Sequence, residues 1–83
     1  MTKLEEKLIE LGYKFDINNW GISKYQRGDR FIETICISKS QNMIVGEPCI
    51  YVKDNIKTQE DILDLQQAFN QLQKDLEVLK NVK

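Results

Sequence analysis

QEDILDLQQAFNQLQKDLEVLKN, residues 59–81, is the stretch that decides the fold. Its apolar residues Ile62, Leu65, Phe69, Leu72, Leu76 and Leu79 are spaced 3, 4, 3, 4, 3, which places them on one narrow stripe of an α-helix. Thr58 stands where an N-cap belongs. Glu60, Asp61 and Asp64 put negative charge at the positive end of the helix dipole, and Lys80 and Lys83 put positive charge at the other. At 1.5 Å per residue such a helix is about 34 Å long, whereas a five- or six-residue strand spans about 17–20 Å. A stripe of this length therefore invites division. The first half, Ile62 to Leu72, is expected to roof a small sheet, and Leu72, Leu76, Leu79 and Val82 are expected to overhang it as an oligomerisation surface. Asp75 and Lys80 fall where a parallel coiled coil pairs its flanking charges.

Working outward, Asp54-Asn55 closes a region of different character. Phe15, Ile17, Trp20, Ile22 and Tyr25, then Phe31, Ile32, Ile35 and Ile37, then Ile44, Val45, Ile50, Tyr51 and Val52 are the β-branched and aromatic types that favour strands. Asn18-Asn19, Arg27-Gly28-Asp29-Arg30 and Ser40-Gln41-Asn42 are turn-forming clusters between them. Gly46-Glu47-Pro48 interrupts the last run, and proline is confined to sheet edges or bulges because it has no amide to donate. Residues 14–53 thus read as an antiparallel meander of three to four strands, the last one bent and at an edge. Before them, Thr2 and Glu5 form a capping-box signature, Leu4, Leu8 and Leu11 follow at helical spacing, and Gly12 suits a left-handed helix end. The expected fold is α+β: a short helix over 3–11, the meander, and a long helix over 59–81, all in one domain spanning 1–83.

Composition narrows function mainly by exclusion. The chain has 83 residues, 30% of them charged, and a net charge of −1, so no basic surplus advertises nucleic acid. It contains no histidine, which removes Ser-His and Cys-His catalysis and ordinary zinc sites. No phosphate-binding glycine loop is present. No catalytic residue, metal site or cofactor is expected, and the chain is read as a non-enzyme. Two cysteines, Cys36 and Cys49, are too few for a disulfide framework and read as small buried hydrophobes in a reducing cytosol. The absence of a long apolar run and of a basic, then apolar, leader predicts a cytoplasmic protein with no membrane partner. Arg27-Gly28-Asp29 spells an adhesion tripeptide, but a glycine-aspartate turn accounts for it.

The residues with most to offer a partner are Trp20, Tyr25, Arg27, Arg30 and Tyr51, aromatics interleaved with cations on a sheet. Such a set can anchor a protein interface, or stack and neutralise a nucleotide, or its tryptophan and tyrosine rings can anchor the small core.

The opening Leu4-Glu5-Glu6-Lys7-Leu8-Ile9-Glu10-Leu11-Gly12-Tyr13 and the closing Gln66-Gln67-Ala68-Phe69-Asn70-Gln71-Leu72-Gln73-Lys74-Asp75-Leu76 resemble small proteins of phages and prophages of Gram-positive bacteria. The resemblance covers both ends, and residues 14–55 share least in it. It implies a setting, the host bacterial cytosol, and a protein that inhibits a host anti-phage defence component by protein–protein contact. Two other readings accompany it. One is an oligomeric sponge that sequesters a small signalling nucleotide. The other is a structural or regulatory phage component acting through its C-terminal coiled coil. A host protein is the expected partner, and the chain is expected to be a homo-oligomer.

Overall fold

The computed structural model describes residues 2–82. The element order is α1 (Lys3–Glu10), β1 (Lys14–Asn19), β2 (Ile22–Arg27), β3 (Phe31–Ser38), β4 (Met43–Val52) and α2 (Gln59–Lys80). The four strands form one antiparallel sheet in the order β1-β2-β3-β4. This is the α+β arrangement of helix, four-stranded meander and long helix. As expected, the last strand lies at an edge and is irregular. Thr34 pairs with Cys49 but Cys36 pairs with Val45, so Gly46-Glu47-Pro48 bulge opposite Ile35.

Each helix begins with a capping box. Thr2 Oγ1 accepts the Glu5 amide while the Glu5 carboxylate accepts the Thr2 amide, and Thr58 and Asp61 repeat the exchange at α2. Helix α1 ends in a Schellman turn. The Tyr13 amide donates to Leu8 O at 2.9 Å and the Gly12 amide to Ile9 O at 3.0 Å, with Gly12 at φ 97°. That turn drops Tyr13 straight into the core.

Side chains alternate between two unequal faces of the sheet. The inner face carries Ser23, Tyr25 and Arg27 opposite Ile37, Ile35 and Glu33. Both helices cover it, in a core of Leu4, Leu8, Tyr13, Tyr25, Ile35, Ile37, Leu72 and Leu79. Among the described residues, no element covers the outer face.

Within this core lies a polar cluster that joins three elements. Arg27 and Glu33 are direct cross-strand neighbours, and the Arg27 guanidinium grips the Glu33 carboxylate through two hydrogen bonds of 3.0 and 2.5 Å. The same guanidinium pairs with Asp75 of α2, donates to Leu11 O at 2.7 Å, and lies 4.3 Å from the Tyr13 ring centroid. Asp75 also accepts from Gln71 Nε2 at 3.1 Å. Burial would lower the affinity of Arg27 for its proton. Its hydrogen bonds to Glu33 and Asp75 outweigh that, and the guanidinium is held charged. A second buried contact runs from Tyr25 Oη to Glu5 Oε2 at 2.5 Å, so the capping glutamate of α1 is also tied to the sheet.

The heptad of α2 is used differently from the expected division. Leu72 and Leu79 are only 4% and 2% exposed, whereas Ile62 and Phe69 are 55% and 47% exposed. Leu76 and Val82 are half-buried and line an apolar groove with Leu4, Ile44 and Pro48. Leu72, Leu76, Leu79 and Val82 therefore do not overhang the sheet. The reason is α1, which packs beside α2 and builds the thickest part of the core at the C-terminal half of the long helix. Asp75, expected on a coiled-coil flank, is buried at 2% exposure on the Arg27 cluster.

Candidate interaction surface

The β1–β2 hairpin turns on two residues, Trp20 and Gly21, rather than on Asn18-Asn19. Both have positive φ, 58° and 78°, as in the two-residue turns whose twist matches that of the flanking strands. Such a turn favours Asn-Gly. An aromatic residue in left-handed conformation is strained by about 1–2 kcal/mol. Here the position holds the only tryptophan of the chain, 93% exposed at the tip of the hairpin. The β2–β3 turn meets a stricter demand. Gly28 has φ 104°, and a Cβ there would collide with the carbonyl oxygen of Phe31.

Behind Trp20 runs the bare outer face. The pairings Ile17–Lys24, Lys24–Cys36 and Cys36–Val45 form one row across all four strands, and Gln26–Thr34–Cys49 and Ile32–Tyr51 form the next two. A bulge between Phe15 and Ile17 turns Ile17 onto this face, while Phe15 stays with Tyr25, ring to ring at 5.7 Å. Asp16 approaches Lys24 at 3.7 Å. The result is a shallow depression lined by Lys24, Gln26, Ile32, Thr34, Cys49 and Tyr51. Apolar ground with a few amide, hydroxyl and ammonium groups is the make-up of a protein-binding surface. Cys36 and Cys49 are both free and both on this face, so the expectation of two buried small hydrophobes is corrected: Cys36 is half-buried and Cys49 exposed.

The five residues expected to contact a partner are dispersed by the fold. Trp20 and Tyr51 are exposed, Tyr51 at 62% on the outer face. Tyr25 points the other way, 1% exposed in the core, because the alternation of β2 puts it beside Ile35. Arg27 is committed to Glu33 and Asp75. Arg30 donates to Asp61 Oδ1 at 2.6 Å and to Asn55 O at 3.1 Å, pinning the start of α2 to the β2–β3 turn. That hydrogen bond, joined by the Lys57 and Thr58 amides, holds Asp61 well below the usual carboxylate range. Both arginines thus have carboxylate partners within the chain, and a nucleotide would have to compete for them. Sequence reasoning missed the outer row Ile17, Lys24, Cys36 and Val45, because the bulge that aligns Ile17 with Lys24 has no signature of its own.

Among the described residues, no group of three or more cysteine, aspartate or glutamate side chains is placed to hold a metal, and no helix is long and apolar enough to cross a membrane. Comparison of the chain with family models, curated proteins and solved structures gives no match.

Proposed function

We propose that this chain is a non-enzymatic binding domain that acts by protein–protein contact, with Trp20 as anchor and the outer sheet face, including Ile17, Lys24 and Tyr51, as the surrounding surface. The single observation behind this reading is Trp20. A large aromatic residue projects almost wholly into solvent from a backbone position that disfavours it. Tryptophan and tyrosine are the residue types that most often dominate binding energy. Folding alone supplies no reason to keep the tryptophan there. The resemblance to phage and prophage proteins adds the setting: a host component as target, in the bacterial cytosol, with inhibition as the outcome.

The test is affinity capture from a Gram-positive host lysate, followed by titration of the purified partner against the wild type, Trp20→Asn and Tyr51→Ser. The reading expects one host protein to be retained, with at least about tenfold weaker binding for Trp20→Asn. Equal affinity for all three chains would overturn it. Cyclic dinucleotides titrated in parallel separate this reading from a nucleotide sponge, which would give heat where the inhibitor gives none.

A further inference from the structure

The heptad of α2 divides lengthwise. Leu65, Leu72 and Leu79 recur every seven residues and turn toward the core, Leu65 half-buried and the other two buried. Ile62, Phe69 and Leu76, at the same interval, form a neighbouring line of which Ile62 and Phe69 stand open. Beside that line, again every seven residues, come Gln59, Gln66 and Gln73, all exposed. As far as Gln73, the face made by Gln59, Ile62, Gln66, Phe69, Asn70 and Gln73 contains no charged side chain, although 30% of the chain is charged, and Glu77 and Lys80 stand at its C-terminal end. Leu63, also exposed, extends its apolar area. Charge depletion around aliphatic and aromatic side chains is the mark of an interface centre.

We propose that this face of α2 docks a second copy of the chain, α2 against α2, antiparallel about a two-fold axis at Phe69. A two-fold contact requires a surface complementary to itself. Primary amides meet that requirement because each both donates and accepts, so a glutamine row fits its own copy where a row of one charge would repel. The direction follows from the ends of the helix. Glu60 and Asp61 occupy its first turn and Lys80 its last. An antiparallel pair opposes the helix dipoles favourably and brings each acidic first turn toward the Lys80 end of the other helix, where Glu77 also stands. A parallel pair would bring each acidic turn against its copy. About Phe69, Ile62 meets the second copy's Leu76, and Gln66 lies near the second copy's Gln73. This contact is separate from the outer sheet face, because α2 packs on the inner one. Two helices make a small interface, so the dimer is a micromolar one.

Sedimentation equilibrium over about 10 μM to about 1 mM tests it. The wild type is expected to show a reversible monomer–dimer equilibrium, and Phe69→Lys to weaken it at least about tenfold with an unchanged circular dichroism spectrum. Register is read by oxidation in a Cys36→Ser, Cys49→Ser background. Phe69→Cys should form a covalent dimer by itself, whereas Ile62→Cys should do so only when mixed with Leu76→Cys. A monomer throughout the range, or unaltered association of Phe69→Lys, overturns the proposal. Faster self-crosslinking of Ile62→Cys than of Phe69→Cys overturns the antiparallel pairing.

Discussion

Tyr13 Oη donates to Asp75 Oδ2 at 3.0 Å, closing a loop of 62 residues with one hydrogen bond. The two residues arrive from opposite ends of the chain, one placed by the turn that ends α1 and the other carried on α2. Between them sits Arg27, so the sheet, both helices and their connection meet at one guanidinium. Removing one partner from such a cluster leaves buried charge uncompensated, which is far more damaging than the loss of an exposed ion pair. Arg27→Met should destabilise the domain by about 3–5 kcal/mol, since Glu33 and Asp75 are then left facing each other. Tyr13→Phe should lose about 1–2 kcal/mol, as only one neutral donor disappears. Urea unfolding followed by circular dichroism measures both, and equal effects would show that the cluster does not depend on the cation.

Gly28→Ala should be costly out of proportion to one methyl group. The positive φ and the collision with Phe31 O act together, and the loss should exceed about 1 kcal/mol. Gly21→Ala tests the assignment, because the space beside Gly21 is open and only its φ opposes a side chain. The Gly28 substitution should lower the urea midpoint more than the Gly21 one.

Trp20→Asn should move stability the other way. Asparagine tolerates the left-handed region and, with Gly21, completes the preferred hairpin pair, so a gain of about 0.5–1 kcal/mol is expected in thermal or urea unfolding. A loss would mean that the indole is held by contacts in the folded chain. Set beside the binding titration, this one variant separates a residue kept for recognition from one kept for folding.

Stability should fall at both ends of the pH scale. Burial, reinforced by Glu33, raises the Tyr13 phenol far above its ordinary value, and burial with the Glu5 hydrogen bond raises Tyr25 likewise. A group whose proton is held more tightly in the folded state stabilises that state fully below its unfolded pKa, about 10 for tyrosine, and the contribution drains away above it. For Glu5, burial raises the pKa, but the hydrogen bonds from Tyr25 and Thr2 together bring it below the ordinary value, and Asp61 is depressed further by Arg30. These two contribute above the unfolded carboxylate range of about 4 and lose their contribution as pH falls through and below it. Phenolate absorbance of Tyr13 and Tyr25 should therefore appear together with the loss of helical ellipticity in alkali. Full ionisation of all three tyrosines in a chain that keeps its helices would contradict this.

Local signals made the element order legible. Thr2 with Glu5, Gly12, the proline in β4 and Thr58 each act within a few residues, and each sits in the structure where the sequence places it. Long-range pairing was not legible. The heptad announces a stripe on α2 but not which of its two lines is covered, since that depends on where α1 docks. Asp75 did leave a trace. It lies between Leu72 and Leu79 at helical spacing, on the buried side of the stripe, where a carboxylate needs a cation from elsewhere. Arg27, on the inward-facing register of β2, was available to be that cation. Whether Tyr25 would meet a partner or anchor the core was not legible for a related reason, because strand alternation assigns faces only once the register is known.

The placement of Asp75 also dictates when the molecule can assemble. On the ribosome, Arg27 and Glu33 emerge long before Asp75, as do Tyr13 and the inner-face residues Tyr25, Ile35 and Ile37 that α2 will cover. Until then the nascent meander has an inner face that α1 covers only in part, and a carboxylate missing from its ion cluster. The core and the ion cluster are complete only once the final helix brings its leucines and its aspartate to the sheet.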